Sequence, residues 1–204
     1  MLYECTVLND IIANTKHDDF RANIQAEVDE RFNDLEQSVL WQCMENKPDE
    51  IQETLNKVIR ANLSSALPEK LYRGISQKTL KYLQGIACKG AEIKFDRVMS
   101  FSKDYNVARN FASYNFYGTR HIMCINDAPF AFNFQEAIFK LICGAPPEEF
   151  PGAFPDATRK ANLNLVNDED EFMFPAGTTL RVDSIERCKK NDLYTMINVT
   201  VLSY

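Results

Sequence analysis

Residues 64–75, Ser-Ser-Ala-Leu-Pro-Glu-Lys-Leu-Tyr-Arg-Gly-Ile, divide the chain into two textures. Ser64, Ser65 and Pro68 make a turn-prone connector. Leu71 to Ile75 then reads as a short apolar strand that carries Arg73 in its interior and Gly74 beside it. Upstream the spacing is helical. Phe20, Ile24, Val28 and Phe32 form one apolar series; Leu35, Val39, Leu40, Cys43 and Met44 form a second; Ile51, Leu55, Val58, Ile59 and Leu63 form a third. Apolar residues three and four apart share a helix face, which predicts three amphipathic helices between residues 18 and 63. Pro48 followed by Asp49 and Glu50 suits the first turn of the third, where no amide donor is needed and negative charge is favoured. Each helix has one stripe to bury, either as a helical cap on the rest of the protein or as an arm for a partner.

Downstream the pattern shortens. Ser76 to Gln84, closed by Gly85, fits one short helix. Asp104 to Ser113 fits another, with Asp104 as N-cap and Val107, Ala108, Phe111 and Ala112 inward. Strands are predicted at Arg97 to Ser102, Arg120 to Asn126, Ala131 to Phe134, Glu171 to Phe174, Thr178 to Ile185 and Tyr194 to Val201. Strands at both ends with short helices between them indicate an α+β fold, with a helical N-terminal region over residues 1–66 and a second region over 67–204. Gly144 to Asn167, with Pro146, Pro147, Pro151 and Pro155, reads as a long functional loop.

Composition narrows the function. A chain of 204 residues with 45% hydrophobic residues can build a core. A net charge of −6 leaves no basic stripe for general nucleic-acid binding. The cysteines at 5, 43, 88, 124, 143 and 188 make no CxxC pair and share no zinc-ligand spacing with His17 or His121, so they are expected to be reduced packing thiols. No basic-then-apolar leader and no apolar run of about 20 residues is present. The phosphate loops of dinucleotide-binding and P-loop folds are missing as well.

Three small constellations carry chemistry. Asp168-Glu169-Asp170-Glu171 precedes the apolar run Phe172-Met173-Phe174-Pro175. In an extended chain side chains alternate faces, so Glu169 and Glu171 point one way and form a like-charge pair suited to acid-base work or to stabilising a cation. A solvated acidic turn is the plainer reading. Arg73 inside an apolar strand needs an anionic partner, a ligand phosphate or an ordinary salt bridge, and Gly74 leaves room for a ligand to approach the backbone. Ser100 and Ser102, on either side of Phe101, share a strand face and offer hydroxyls to a carboxylate or a ribose.

The order of these elements is more specific than any one of them. Arginine in a first strand, Ser-x-Ser in a second and Glu-x-Glu before a later strand resembles the arginine-specific mono-ADP-ribosyltransferases. Tyr72-Arg73-Gly74, Val98-Met99-Ser100-Phe101-Ser102 with Asp104 and Ala108, and Asp168 to Gly177 look like that family's signature blocks. Phe32 to Cys43 and Phe132 to Glu136 extend the resemblance to the small Mod-type transferases of T-even-like bacteriophages, over most of the chain. Phe101 stands where the family usually has threonine, and both serines remain.

The resemblance implies a split β-sandwich core over residues 67–204 that binds NAD as substrate and needs no metal. It implies catalytic Glu171, with Ser100 orienting it and Ser102 nearby. Arg73 would grip the NAD phosphates, the Gly74 backbone would meet the nicotinamide amide, and Glu169 would receive an acceptor guanidinium. Glutamine at position 169 accompanies other acceptors, so glutamate favours arginine. Tyr114, Phe116 and Tyr117 are candidates to stack on nicotinamide. The implied partner is a host protein of the transcription or translation machinery, RNA polymerase or a ribosome-associated protein, met in the cytoplasm of the infected bacterium or after packaging in the virion, without membrane attachment. Free NAD and NAD-capped RNA both remain open as donor. An NAD glycohydrolase and a non-catalytic module that binds a host protein are the competing functions.

Overall fold

The computed structural model describes residues 3–45, 48–76, 79, 83, 88–112, 119–187 and 194–204. Most of the helix expected over Ser76 to Gln84, the aromatics Tyr114, Phe116 and Tyr117, and Cys188 lie outside the described residues. The chain forms two compact units, Met1–Val58 with Asn133–Asp170, and Ile59–Phe132 with Glu171–Tyr204.

The first unit is helical. α1 (Cys5–Asn14), α2 (Asp18–Arg31), α3 (Asp34–Met44) and most of α4 (Pro48–Ala61) come from the N-terminal stretch. The last three confirm the predicted helices, with Pro48 at the start of α4. Asn33 and Glu36 close a reciprocal capping box at the start of α3, with both hydrogen bonds at 3.0 Å. Ile51, Leu55, Val58 and Ile59 are buried as the period requires. Leu35 is not, because it lies in the first turn of α3 and points to solvent.

α5 (Tyr105–Phe111) belongs to the other unit, and two further helices complete this one. α6 (Phe134–Gly144) follows a strand of two residues, where the sequence suggested only a strand edge. Nearly every α6 side chain is buried, and only Glu136 and Lys140, four residues apart, mark a narrow polar edge. Asn133 caps it by accepting from the Glu136 amide at 3.0 Å. Gly144 lets α6 approach α2: a Cβ there would stand 3.1 Å from the Gln25 backbone nitrogen.

The expected loop from Gly144 to Asn167 is instead a short 3-10 turn (Pro147–Glu149) and the 15-residue helix α7 (Pro155–Glu169). Pro155 is not a breaker but the first helical residue, where proline is favoured. The inward positions of α7 are Arg159, Leu163, Val166 and Asn167. Two of those four are polar, which hides the amphipathic pattern. Arg159 is buried by donating to the carbonyls of Thr15 at 3.0 Å and Ala145 at 2.8 Å, with its guanidinium 4.6 Å over the Phe150 ring.

The second unit is built on an eight-stranded sheet of order β2-β7-β8-β4-β1-β3-β6-β5. Its strands are β1 (Lys70–Gly74), β2 (Glu92–Lys94), β3 (Met99–Ser102), β4 (Arg120–Asn126), β5 (Phe132–Asn133), β6 (Glu171–Phe174), β7 (Thr179–Arg187) and β8 (Tyr194–Ser203). β4 and β8 run parallel; the other registered pairs are antiparallel. One face buries Leu71, Phe101, Met123, Phe172, Phe174, Ile197 and Val199 in a single core. The α+β class read from the sequence is the one observed.

α5 (Tyr105–Phe111) covers the other face of β1, burying Ala108 and Ala112 with Ile122. Phe111, expected inward, is 65% exposed at the end of this short helix. Gly74 is the contact point. A Cβ there would lie 2.2 Å from the Ala108 carbonyl oxygen and 2.5 Å from the Ala112 nitrogen. The room made by this glycine is therefore filled by helix backbone rather than left for a ligand. Gly74→Ala should destabilise the protein by about 1–3 kcal/mol or more, since backbone must move to admit the methyl group. Urea unfolding checks this; an unchanged midpoint would mean that α5 yields without cost.

Candidate active site

β1 delivers Arg73 to the place where β1, β3 and β6 lie side by side. β1 and β3 are in register through the single pair Tyr72 with Ser102, whereas β1 and β4 pair over five residues. Beyond that pair the Arg73 guanidinium makes the connection, donating from Nη1 to the Ser100 carbonyl at 2.6 Å. Burial lowers the Arg73 pKa, and the charge of Glu171 acts against that shift. An arginine stays charged under such conditions, so Glu171 is close enough to be an electrostatic partner of a desolvated cation.

The serines divide their contacts. Ser100 stands opposite Met173 and Ser102 opposite Glu171 in the β3–β6 ladder. Ser102, not Ser100, therefore shares a cross-strand position with Glu171, and Tyr72 lies in the same row on β1. The Ser102 hydroxyl also accepts from the Asp104 amide at 3.0 Å. Asp104 in turn accepts from the Asn106 amide at 2.7 Å and caps α5 as expected. The end of β3 and the start of α5 are thus tied together beside Glu171. Spacing alone could not choose between two serines on one face; only the register does.

Glu169 and Glu171 are not alternating residues of one extended segment. Glu169 ends α7, Asp170 turns the chain in the left-handed region at φ 42°, and Glu171 begins β6. The corner carries a buried carboxylate, Asp170, in a conformation more usual for glycine or asparagine. What relates the two glutamates is this corner and not a strand period. Burial first, and then the neighbouring charge of Asp168, raise the Glu169 pKa.

Among the described residues, no group of three or more His, Cys, Asp or Glu side chains is placed to hold a metal ion. Cys5, Cys43, Cys88, Cys124 and Cys143 are free thiols, and burial pushes Cys143 up to about 12. No helix among the described residues is long and apolar enough to cross a membrane.

The raised pKa of Glu169 has a sign that can be tested. The folded state favours the protonated carboxyl, so the ionised form costs stability above the folded pKa. That cost shrinks as pH falls through the raised value and is gone below the unfolded value of about 4.3. Glu169→Gln should therefore stabilise the protein at pH 7 and lose that advantage near pH 4. Thermal unfolding of both proteins across this range is the measurement. An advantage that persists at low pH would assign the effect to packing.

The chain as a whole is similar to known ADP-ribosyltransferases. The family described as Bacteriophage T4 Mod ADP-ribosyltransferase matches residues 1–204. The NAD–protein ADP-ribosyltransferase modA of Enterobacteria phage T4 is 38% identical over 199 residues, covering 96% of this chain and 95% of the relative. The NAD–protein ADP-ribosyltransferase modB of the same phage is 34% identical over 187 residues, covering 89% and 88%. Among solved structures, ADP-ribosyltransferase Vis in complex with the M6 inhibitor aligns with a TM-score of 0.48 at 13% identity, covering 96% of this chain and 85% of that one. Plx2a, an ADP-ribosyltransferase toxin from Paenibacillus larvae, aligns with a TM-score of 0.47 at 10% identity, covering 87% and 90%.

Proposed function

The chain belongs to the bacteriophage T4 Mod ADP-ribosyltransferase family and uses NAD as its substrate to modify protein, and within that activity we propose that it transfers ADP-ribose to arginine side chains with Glu171 as the catalytic carboxylate. The observation that carries the proposal is the placement of Glu171 at the start of β6, opposite Ser102 and in electrostatic reach of the Arg73 guanidinium.

The chemistry follows from the charges. NAD carries a pyridinium on C1 of a ribose. Breaking that bond releases neutral nicotinamide and leaves positive charge on the sugar, which a fixed carboxylate stabilises. Glu171 supplies that carboxylate and accepts from the ribose 2′-hydroxyl. Ser102 supports it across the ladder, and Ser100 acts through Arg73. Arg73, held by the Ser100 carbonyl through one nitrogen, has further donors for the NAD phosphates. The Gly74 backbone meets the carboxamide of nicotinamide. No step needs a metal.

An incoming arginine is protonated at neutral pH and must lose a proton as its nitrogen attacks C1. Glu169 attracts the guanidinium and takes that proton. Burial and the charge of Asp168 raise its pKa, which makes it a better base than an ordinary carboxylate. Glutamate rather than glutamine at 169 supports arginine as acceptor. The acceptor protein is sought first in the host's transcription and translation machinery, RNA polymerase above all, inside the infected cell. Free NAD is the simpler donor, and NAD-capped RNA is its alternative.

Two readouts on the same samples separate the roles: nicotinamide released, and ADP-ribose joined to agmatine, a small guanidine acceptor. Glu171→Gln should lose both by on the order of 10²- to 10³-fold. Glu169→Gln should abolish agmatine modification yet keep slow release of nicotinamide to water. Arg73→Ala should weaken NAD binding and, by releasing the Ser100 carbonyl, lower turnover as well. Agmatine labelling at the parent rate by Glu169→Gln would reject the acceptor role. Nicotinamide release by the parent with no guanidine labelled would make the protein a glycohydrolase.

A further inference from the structure

β6 carries Glu171 on one face and Phe172 and Phe174 on the other, because side chains alternate along a strand. The strand is four residues long and its outer neighbour, β5, only two, so ladder hydrogen bonds hold it firmly on the β3 side alone. Its support comes from beneath. Phe174 is fully buried and meets Phe101 edge to face at 5.1 Å between centroids. Phe101 lies between Ser100 and Ser102. Phe174 also meets the Tyr204 ring, which lies parallel to it with centroids 6.3 Å apart and an interplanar angle of 4°.

Tyr204 is itself fixed. Its hydroxyl accepts from the Phe130 amide at 2.9 Å and donates to the Phe130 carbonyl, so one oxygen is locked to both backbone groups of one residue. The Phe130 ring adds an edge contact at 6.4 Å. The next residue, Ala131, is fully buried and bridges to Ser64 through two backbone hydrogen bonds. The contacts from Phe101 through Phe174 to Tyr204 thus end on an anchored piece of backbone at the protein surface.

We propose that Tyr204 is a positioning residue for Glu171: its hydroxyl, locked to the Phe130 backbone, holds the aromatic column that sets the height and tilt of β6 beneath the catalytic carboxylate. This rests on the assignment of Glu171 made above. Tyr204 touches no substrate, and its effect passes through Phe174. A ring that settles by a fraction of an ångström moves the strand bearing Glu171, and displacements near 1 Å cost about 10²-fold in rate when a catalytic group is misplaced.

The test is a double-mutant cycle on nicotinamide release, run well below the melting temperature of every variant. Tyr204→Phe keeps the ring and deletes the lock. In the parent background it should lower kcat on the order of tenfold and leave the KM for NAD within about twofold. In the Glu171→Gln background it should change kcat by less than about twofold, because no carboxylate remains to misplace. Phe130→Ala, which keeps both backbone groups for the hydroxyl, should turn over at close to the parent rate. An equal fractional loss from Tyr204→Phe in both backgrounds would overturn the proposal and leave Glu171 in place, as would parental kcat in Tyr204→Phe. Should Glu171→Gln alone retain parental activity, the failure lies in the catalytic assignment. If Tyr204→Phe is too unstable at the assay temperature, the same cycle is run at a lower temperature at which it is folded, and an equal fractional loss in both backgrounds there overturns the lock.

Discussion

A guanidinium half-buried in a β-sheet has to be met where it stands, and Arg73 is met by the Ser100 carbonyl and the charge of Glu171. Much else depends on that contact. The β1–β3 ladder shows one register pair, so the arginine joins two strands that backbone hydrogen bonding joins only briefly. The same contact aligns β3 with β1, and the β3–β6 ladder carries that alignment on to Glu171. The cation proposed to grip phosphate and the carboxylate proposed to stabilise a sugar cation are thereby joined through one piece of backbone geometry.

The surrounding structure keeps this arrangement stiff from both faces of the sheet. On one face α5 presses its backbone against Gly74 and is capped by Asp104, whose amide is held by Ser102. On the other, the aromatic rings of Phe101, Phe174 and Tyr204 stand in a row under β3 and β6. Rigid support of this kind suits a site whose work is to stabilise charge that appears only as a bond breaks, because groups already in place do not have to reorganise. Glu169 follows a different logic. It ends a helix, beside Asp168 and a left-handed corner at Asp170, and its burial there is a cost that the ionised form carries at neutral pH.

How legible the molecule was depended on how its residues advertise their surroundings. The N-terminal helices α2 to α4 were readable because their buried residues are apolar and periodic; Leu35 misled because first-turn residues need not face the core. α6 was missed for the opposite reason, being apolar on nearly all sides. α7 was missed because Arg159 and Asn167 occupy inward positions, and because its prolines belong to a turn and a helix start that resemble a loop in sequence. Arg73, the two serines and the glutamates were found from residue type and order. Tyr204 was not, since a tyrosine far along the chain gives no sign of the ring it will stack on.

By itself the sequence determined the α+β class, the helical N-terminal stretch and most of the strands, and it singled out Arg73. These follow from local periodicity and from the cost of placing a charge inside an apolar strand, both of which can be read from neighbours in the chain. Only the tertiary structure decided which serine stands across from Glu171, that the space beside Gly74 belongs to α5, and that the two glutamates are related by a helix-to-strand corner at Asp170. Register, close backbone approach and a left-handed turn each arise from contacts between segments distant in sequence or from the need to redirect the chain between two elements. None of them leaves a periodic trace in the order of the residues.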